Sequence, residues 1–204
     1  MTKQSRSAPV MKAVLDAVAE RLVVGDESLI RIPEICEATG VNYGSVYHHF
    51  GSREGVIDAA YNVIFHNLVE GDIAQLHAIG EASNSLEEYA EAMRPFVALM
   101  LTGEDRPRRR ALRVRIVAAA ETREELRAVI GRTQAHLTDE LVRIVERGQN
   151  RGWLRGDLSA RAIAVLVQAV IFGRTLDDIS SDPINQFEWD HATYELFLNL
   201  LNPT

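Results

Sequence analysis

The sequence predicts an all-α fold of about nine helices, and three observations predict it. Apolar residues recur three and four positions apart through most of the 204 residues, the period of a helix face. No segment alternates apolar with polar residues as a half-buried strand would. Helix-start signals stand where periodic runs begin, Ser85-Leu-Glu-Glu88 and Thr122-Arg-Glu-Glu125 among them.

Composition narrows the class. An apolar share of 47% and a charged share of 25% are those of an ordinary globular protein. Cys36 stands alone, so no disulfide forms within the chain; with no signal peptide evident, a reducing cytoplasm is expected. The longest uncharged apolar run, Ala162 to Phe172, falls far short of the ~20 residues needed to cross a bilayer, and no membrane partner is expected.

Residues 1–8 are small and polar and read as a disordered arm, in which Lys3 and Arg6 could reach a phosphate. From Pro9, the residues Val10, Val14, Leu15, Val18 and Leu22 keep helical spacing up to Gly25. Lys12, near the start of that helix, is a candidate phosphate contact.

Ile32, Ile35, Cys36 and Thr39 then form one face of a short helix that stops at Gly40, a residue suited to leaving a helix with positive φ. Asn42 can cap a second short helix, Tyr43 to Phe50, which turns Val46 and Phe50 inward at i and i+4. Tyr43, Gly44, Ser45, Tyr47 and His48 face away. Two short helices around a Gly turn can set the second into a DNA major groove. Gly44 and Ser45 let the backbone approach base edges, and the tyrosines and histidine supply donors. A plain helical hairpin inside a bundle is the competing reading.

The flanking sequence separates the two. GVNYGSVYHHFGSREGVIDAA, residues 40–60, resembles the recognition-helix signature of TetR-family transcriptional regulators: Gly-Val, a capping residue, a small residue, Tyr-x-x-Phe, a short polar link and the next helix. The resemblance implies a DNA-binding head over residues 1–52 and an effector-binding and dimerisation region over 53–204. It also implies double-stranded operator DNA, a second copy of the chain and a small-molecule effector as partners. Family members commonly place Thr or Ser before the second helix, as a cap that touches phosphate; this chain has Arg31 there, which could still contact phosphate by charge. The family often has Lys beside the position of Arg53, and Arg53 preserves that charge.

A formal charge of −7 is unusual for a DNA binder. Through residue 55 the acids slightly outnumber the bases, so binding must rest on where charges sit, on helix N-termini and on neutral donors.

Beyond the signature, Ser52 caps a helix carrying Ile57, Ala60, Tyr61, Ile64, Phe65 and Leu68 as a stripe. The helix opened by Ser85 buries Leu86, Tyr89, Met93, Phe96 or Val97, and Met100, and Pro95 should kink it. Arg108 to Ala120 forms the next helix. The arginines between 106 and 115, flanked by acids, read as a solvated, salt-bridged surface. A helix behind Thr122 runs to Gly148 with Leu126, Ile130, Leu137, Leu141 and Ile144 on one side. A Gly-rich loop follows, tied down by Trp153 and Leu154.

The helix of residues 158–180 is apolar nearly all round between Ala162 and Phe172, and a last helix, about 186–201, carries Trp189, Tyr194, Phe197, Leu198 and Leu201. Such a pair needs cover on more than one side. A four-helix interface with a second copy supplies it, and the resemblance implies the same pairing. Ile163, Val167, Gln168, Ile171, Tyr194, Phe197 and Leu198 are the candidate interface residues. Gln168 can bond across the two-fold or within the subunit. The TetR resemblance also places an effector pocket among helices four to seven, with Tyr61, Phe65, Met93, Phe96, Met100, Val117 and Leu137 as candidate walls for a mostly apolar ligand.

No catalytic, metal or cofactor site is expected. His48 and His49 are adjacent and point to different faces, His66 and His77 are too far apart to share a metal, and GQNRGWLRG lacks the Lys of a phosphate loop. An all-helical enzyme is thus disfavoured, and a DNA-binding protein without any effector remains the other alternative to a regulator released from DNA by a ligand.

Overall fold

The computed structural model describes residues 3–199, apart from the side chains of residues 3–8, 69, 101 and 102. Lys3, Arg6 and Leu201, all singled out in the sequence, have side chains outside the described set. Among the described residues there are ten α-helices, one 3-10 turn and no strand. Nine of the helices have eight residues or more, as periodicity predicts, and the tenth is a single turn.

Two compact units divide the chain: Met1–Asn67 with Arg115–Thr133, and Leu68–Val114 with Gln134–Thr204. This cut lies inside a helix, at a place different from the functional division expected at residue 52, because later segments complete the first unit.

In the first unit, α1 (Lys3–Val24), the 3-10 turn (Glu27–Leu29), α2 (Ile32–Thr39) and α3 (Tyr43–Phe50) are followed by the start of α4 (Arg53–Ala82). α1 begins at Lys3, so the expected disordered arm is helical from there, with Pro9 inside. Val14, Val18 and Leu22 of α1 are fully buried, as are Ile35, Val46, Val56 and Ile57 of the next three helices. α1 packs on α2, and α2 on α3. Gly40 ends α2 with φ 67°, the left-handed region, and its N–H reaches the Cys36 carbonyl.

Residues 115–133 belong to α6 (Arg106–Thr122) and α7 (Glu124–Asn150). Ile116, Leu126 and Ile130 join the buried set of this unit. Arg115 donates to the Leu22 carbonyl at 2.9 Å and to that of Gly25, satisfying acceptors that the end of α1 leaves over. Arg123 ties Asp58 of α4, at 2.8 Å, to Glu27 of the 3-10 turn, at 2.6 and 2.8 Å. The capping box expected at Thr122 is absent. Thr122 closes α6 and bonds back to Ala119, while the carbonyl of Arg123 accepts the first bond of α7.

In the second unit, α5 (Leu86–Thr102) starts as the sequence predicts. Ser85 accepts from the Glu88 N–H at 3.1 Å, and the Glu88 carboxylate reaches back to the Asn84 N–H at 2.8 Å. α8 (Ala160–Gly173), the single turn α9 (Thr175–Asp178) and α10 (Gln186–Leu198) complete it, α10 lying against α5. Leu137, Leu141 and Ile144 of α7 pack with Ala164 of α8, and Val145 packs with Leu154 and Ile163. Trp153 of the Gly-rich loop stacks on Tyr89, ring centres 5.4 Å apart.

One contact in the first unit gives a sharp test. A Cβ at Gly55, in the first turn of α4, would lie 2.1 Å from the Phe50 carbonyl oxygen at the end of α3. Helix propensity alone favours Ala over Gly by ~1 kcal/mol. Overpacking against a backbone atom reverses that sign, and Gly55→Ala should lower unfolding stability by ~1–3 kcal/mol. Urea denaturation reads the difference, and an unchanged or raised midpoint would contradict the packing of α3 on α4.

Candidate nucleic-acid interface and ligand cavity

α3 has eight residues and one completely buried side chain, Val46. Asn42 caps it, its side-chain oxygen accepting from the Gly44 N–H at 2.8 Å. With Val46 inward and Phe50 half-buried, Asn42, Tyr43, Gly44, Ser45 and His48 are exposed and Tyr47 is partly so. The Tyr43 and Tyr47 rings lie 4.6 Å apart. Hydrogen bonding with Tyr43, chiefly, lifts the Tyr47 phenol above its ordinary pKa. The start of α3 is thus a small, uncharged surface of two phenols, a hydroxyl and an amide, its first N–H groups bonded to Asn42.

The basic residues proposed around it differ in their availability. Lys12 is exposed and pairs with Asp16 one turn along, at 2.6 Å. Arg31 is exposed, makes no cap bond and sits 3.7 Å from Glu34. Either weak surface pair can open toward a phosphate. Arg53 is different. Its Nε donates to the Ile30 carbonyl at 2.9 Å and its Nη2 to the Glu27 carbonyl. Arg53 thus braces the segment before α2, a role invisible in sequence because its acceptors are main-chain carbonyls 23 and 26 residues away.

The second unit contains a cavity of about 230 Å³. Met93, Phe96, Met100 and Leu137 line it, as the sequence expectation for a pocket named them. Tyr61, Phe65 and Val117 do not. Tyr61 and Phe65 are buried in the first unit, and Val117 is 38% exposed there. Periodicity marks a side chain as buried without saying which of two cores buries it.

The residues expected at a dimer interface lie around the same space in the single chain. Ile163, Val167, Gln168 and Ile171 of α8, with Tyr194, Phe197 and Leu198 of α10, line this cavity. The outward stripe of α8 is the neighbouring one, with Val165 50% and Leu166 44% exposed beside Ala162 and Ala169. A helix apolar all round offers periodicity no choice between the two. Gln168 bonds within the subunit, accepting from Gln134 at 2.6 Å and donating to the Ala164 carbonyl at 3.1 Å.

The largest departure is α6. Arg106, Arg109, Arg110 and Arg113 all line the cavity, where a solvated surface was expected. Salt bridging holds, but to distant acids: Arg106 binds Asp72 at 2.9 and 3.2 Å, and Arg110 binds Asp178 at 2.6 Å through both nitrogens. Arg113 donates to Gln134 at 2.8 Å. The spacing i, i+3, i+4, i+7 was the available signal, being that of an inward-facing stripe.

Known proteins agree with this arrangement. The family described as "Bacterial regulatory proteins, tetR family" matches residues 28–60, from the 3-10 turn through α3 into α4. The regulator AlkX of Mycobacterium tuberculosis, described as an HTH-type transcriptional regulator, is 27% identical over 113 residues, 51% of this chain and 53% of AlkX. The match thus spans about half the length of that relative. A crystal structure from Mesorhizobium loti, assigned to the TetR family, superposes with a TM-score of 0.72 at 16% identity, covering 97% of this chain and 98% of that one. A regulator from Saccharomonospora viridis, solved in complex with choline, superposes with a TM-score of 0.70 at 14% identity, covering 97% of this chain and all of its own. At such identities the two structures speak for the fold. Residues 28–60 thus carry the helix-turn-helix signature of the tetR family of bacterial regulatory proteins, and nearly the whole chain shares the fold of TetR-family structures.

Proposed function

We propose that the chain is a homodimeric DNA-binding regulator, a repressor that leaves a two-fold operator when a small effector enters the cavity of the second unit. Residues 1–52 act as the DNA-binding head and residues 53–204 as the effector and dimer region. The observation that carries this reading is the exposed start of α3, where Tyr43, Gly44, Ser45, Tyr47 and His48 stand outward around a buried Val46. Small residues at 44 and 45 let the helix N-terminus approach a groove floor, while the phenols and imidazole reach phosphates and base edges. Lys12 and Arg31 add positive charge; Arg53 holds the fold. The overall charge of −7 makes one head a weak binder, so two heads are needed.

The second copy is assigned to the outward stripe of α8, Ala162, Val165, Leu166 and Ala169, together with Leu196 of α10. Apolar side chains exposed in a row on a terminal helix pair are what a self-complementary four-helix contact covers. Paired heads must match half-sites about one duplex turn, ~34 Å, or a small multiple of it apart. An effector that prefers the conformation unable to span that distance empties the operator by shifting populations, with no need to touch DNA.

Two outcomes follow, both read on a duplex selected by the protein from a random-sequence library. Tyr47→Ala and His48→Ala should each weaken binding about 10- to 100-fold, in line with ~1–3 kcal/mol per groove contact, while leaving the melting temperature unchanged. Fluorescence anisotropy measures this, and full-strength binding by both variants would remove α3 from the interface. Leu166→Glu places charge in the apolar contact and should leave a folded monomer in sedimentation at micromolar concentration, with operator affinity lost; a variant that stays dimeric would move the interface elsewhere.

A further inference from the structure

The regulatory reading leaves the four guanidiniums of the cavity wall unexplained. α6 carries Arg106, Arg109, Arg110 and Arg113 at i, i+3, i+4 and i+7, the stripe that a packed helix normally fills with apolar residues. Around them the walls are hydrocarbon and aromatic: Met93, Phe96, Leu137, Leu141, Ile144 and Val167. Guanidiniums kept against such walls lose hydration, a cost that only paired charges offset.

The acids bonded to them are few. Asp72 takes both nitrogens of Arg106 and lies 3.5 Å from Arg109. Asp178 is held by Arg110. Arg109 also donates to the Leu68 carbonyl, and its other carboxylate neighbour, Asp105 at 3.6 Å, is largely in solvent. Arg113 gives a hydrogen bond to the neutral Gln134, and burial pushes its pKa below the ordinary value. Arg106 is only 8% exposed, and its Nε is buried with no hydrogen-bond partner. Asp72 and Asp178 accept hydrogen bonds from this row, Asp72 being shared between Arg106 and Arg109, and the Arg106 Nε at the cavity is unused.

We propose that the effector is a medium-chain monocarboxylate, its head bound by Arg106, Arg109 and Arg113 and its tail lying among Met93, Phe96, Leu137 and Val167. The proposal rests on the effector-binding reading of this cavity. A carboxylate accepts paired N–H bonds from planar guanidinium forks, and its charge adds to that of Asp72, which Arg106 and Arg109 share. A volume of about 230 Å³ lies just below the ~300–1,000 Å³ common for ligand pockets, which suits a medium acyl chain better than a large ring system. The same wall disfavours a quaternary ammonium, although Tyr89, Phe96, Tyr194 and Phe197 offer aromatic faces.

The test uses the whole protein and its own fluorescence, since Trp153 stacks on Tyr89 of the cavity wall. Octanoate, 1-octanol and octyltrimethylammonium are titrated in parallel. Octanoate should bind at least tenfold tighter than octanol, with the ammonium weakest. Arg113→Gln, whose amide can still meet Gln134, and Arg109→Gln should each cut octanoate affinity about tenfold and leave octanol binding unchanged; circular dichroism confirms that both variants fold. Equal binding of octanol and octanoate, preference for the ammonium, or octanoate affinity unmoved in both variants would overturn the proposal. The selected duplex separates the two levels. Octanoate that binds selectively yet leaves the duplex bound supports the carboxylate site and removes the regulatory role of the cavity. A duplex bound by protein that ignores the carboxylate head keeps the DNA reading and ends this one.

Discussion

Val46 is the only completely buried side chain in an eight-residue helix, and that single burial decides which face of α3 is presented to the outside. A short helix cannot hold itself together by its own hydrogen bonds, because half of its backbone groups are terminal. It persists because Val46 is buried, because Asn42 supplies the missing acceptor at one end, and because Gly55, with no Cβ, leaves room for the Phe50 carbonyl at the other. Those constraints leave Tyr43, Ser45, Tyr47 and His48 displayed in a fixed relation. Gly40, which reverses the chain between α2 and α3, serves the same end from outside the helix.

The second unit applies burial differently. Its core is incomplete: the apolar sides of α5, α7, α8 and α10 surround a space left unfilled, and α6 contributes charge to it. A packed interior ordinarily closes such voids at native density. Keeping one open beside desolvated guanidiniums forgoes packing energy, and a binding site is the ordinary reason for that arrangement. Arg115 and Arg123, on later turns of the same α6 and at the start of α7, serve the first unit by bonding carbonyls and carboxylates instead. Arginine thus braces one unit and lines a cavity in the other.

How much was legible in the sequence follows from the range of the interactions. The helix-turn-helix is written locally: Ile32, Ile35, Gly40, Asn42 and Val46 fall within fifteen positions, and the Gly40 turn and the Asn42 cap act within a single turn of helix. The Ser85 cap is equally local, and was readable for that reason. Most of the departures are non-local. Arg53 bonds carbonyls 23 and 26 residues upstream, and Arg110 meets an acid 68 residues on, so charge pattern alone assigned both to solvent or phosphate. Tyr61 and Phe65 carry the signature of burial whichever core they enter. On α8, uniform hydrophobicity hid the choice between the cavity stripe and its outward neighbour. Thr122 shows the converse, a local signal that resembled a cap while the helix before it simply ran on to that residue.

The account stands on α3 being the element that meets DNA, presented twice at a duplex-turn spacing. Hydroxyl-radical footprinting of the protein on its selected duplex tests that most directly. Two protected patches on one face of the DNA, their centres about one helical turn or a small multiple of it apart and related by two-fold symmetry, are expected. A single patch, or two patches without that periodic spacing, would contradict it.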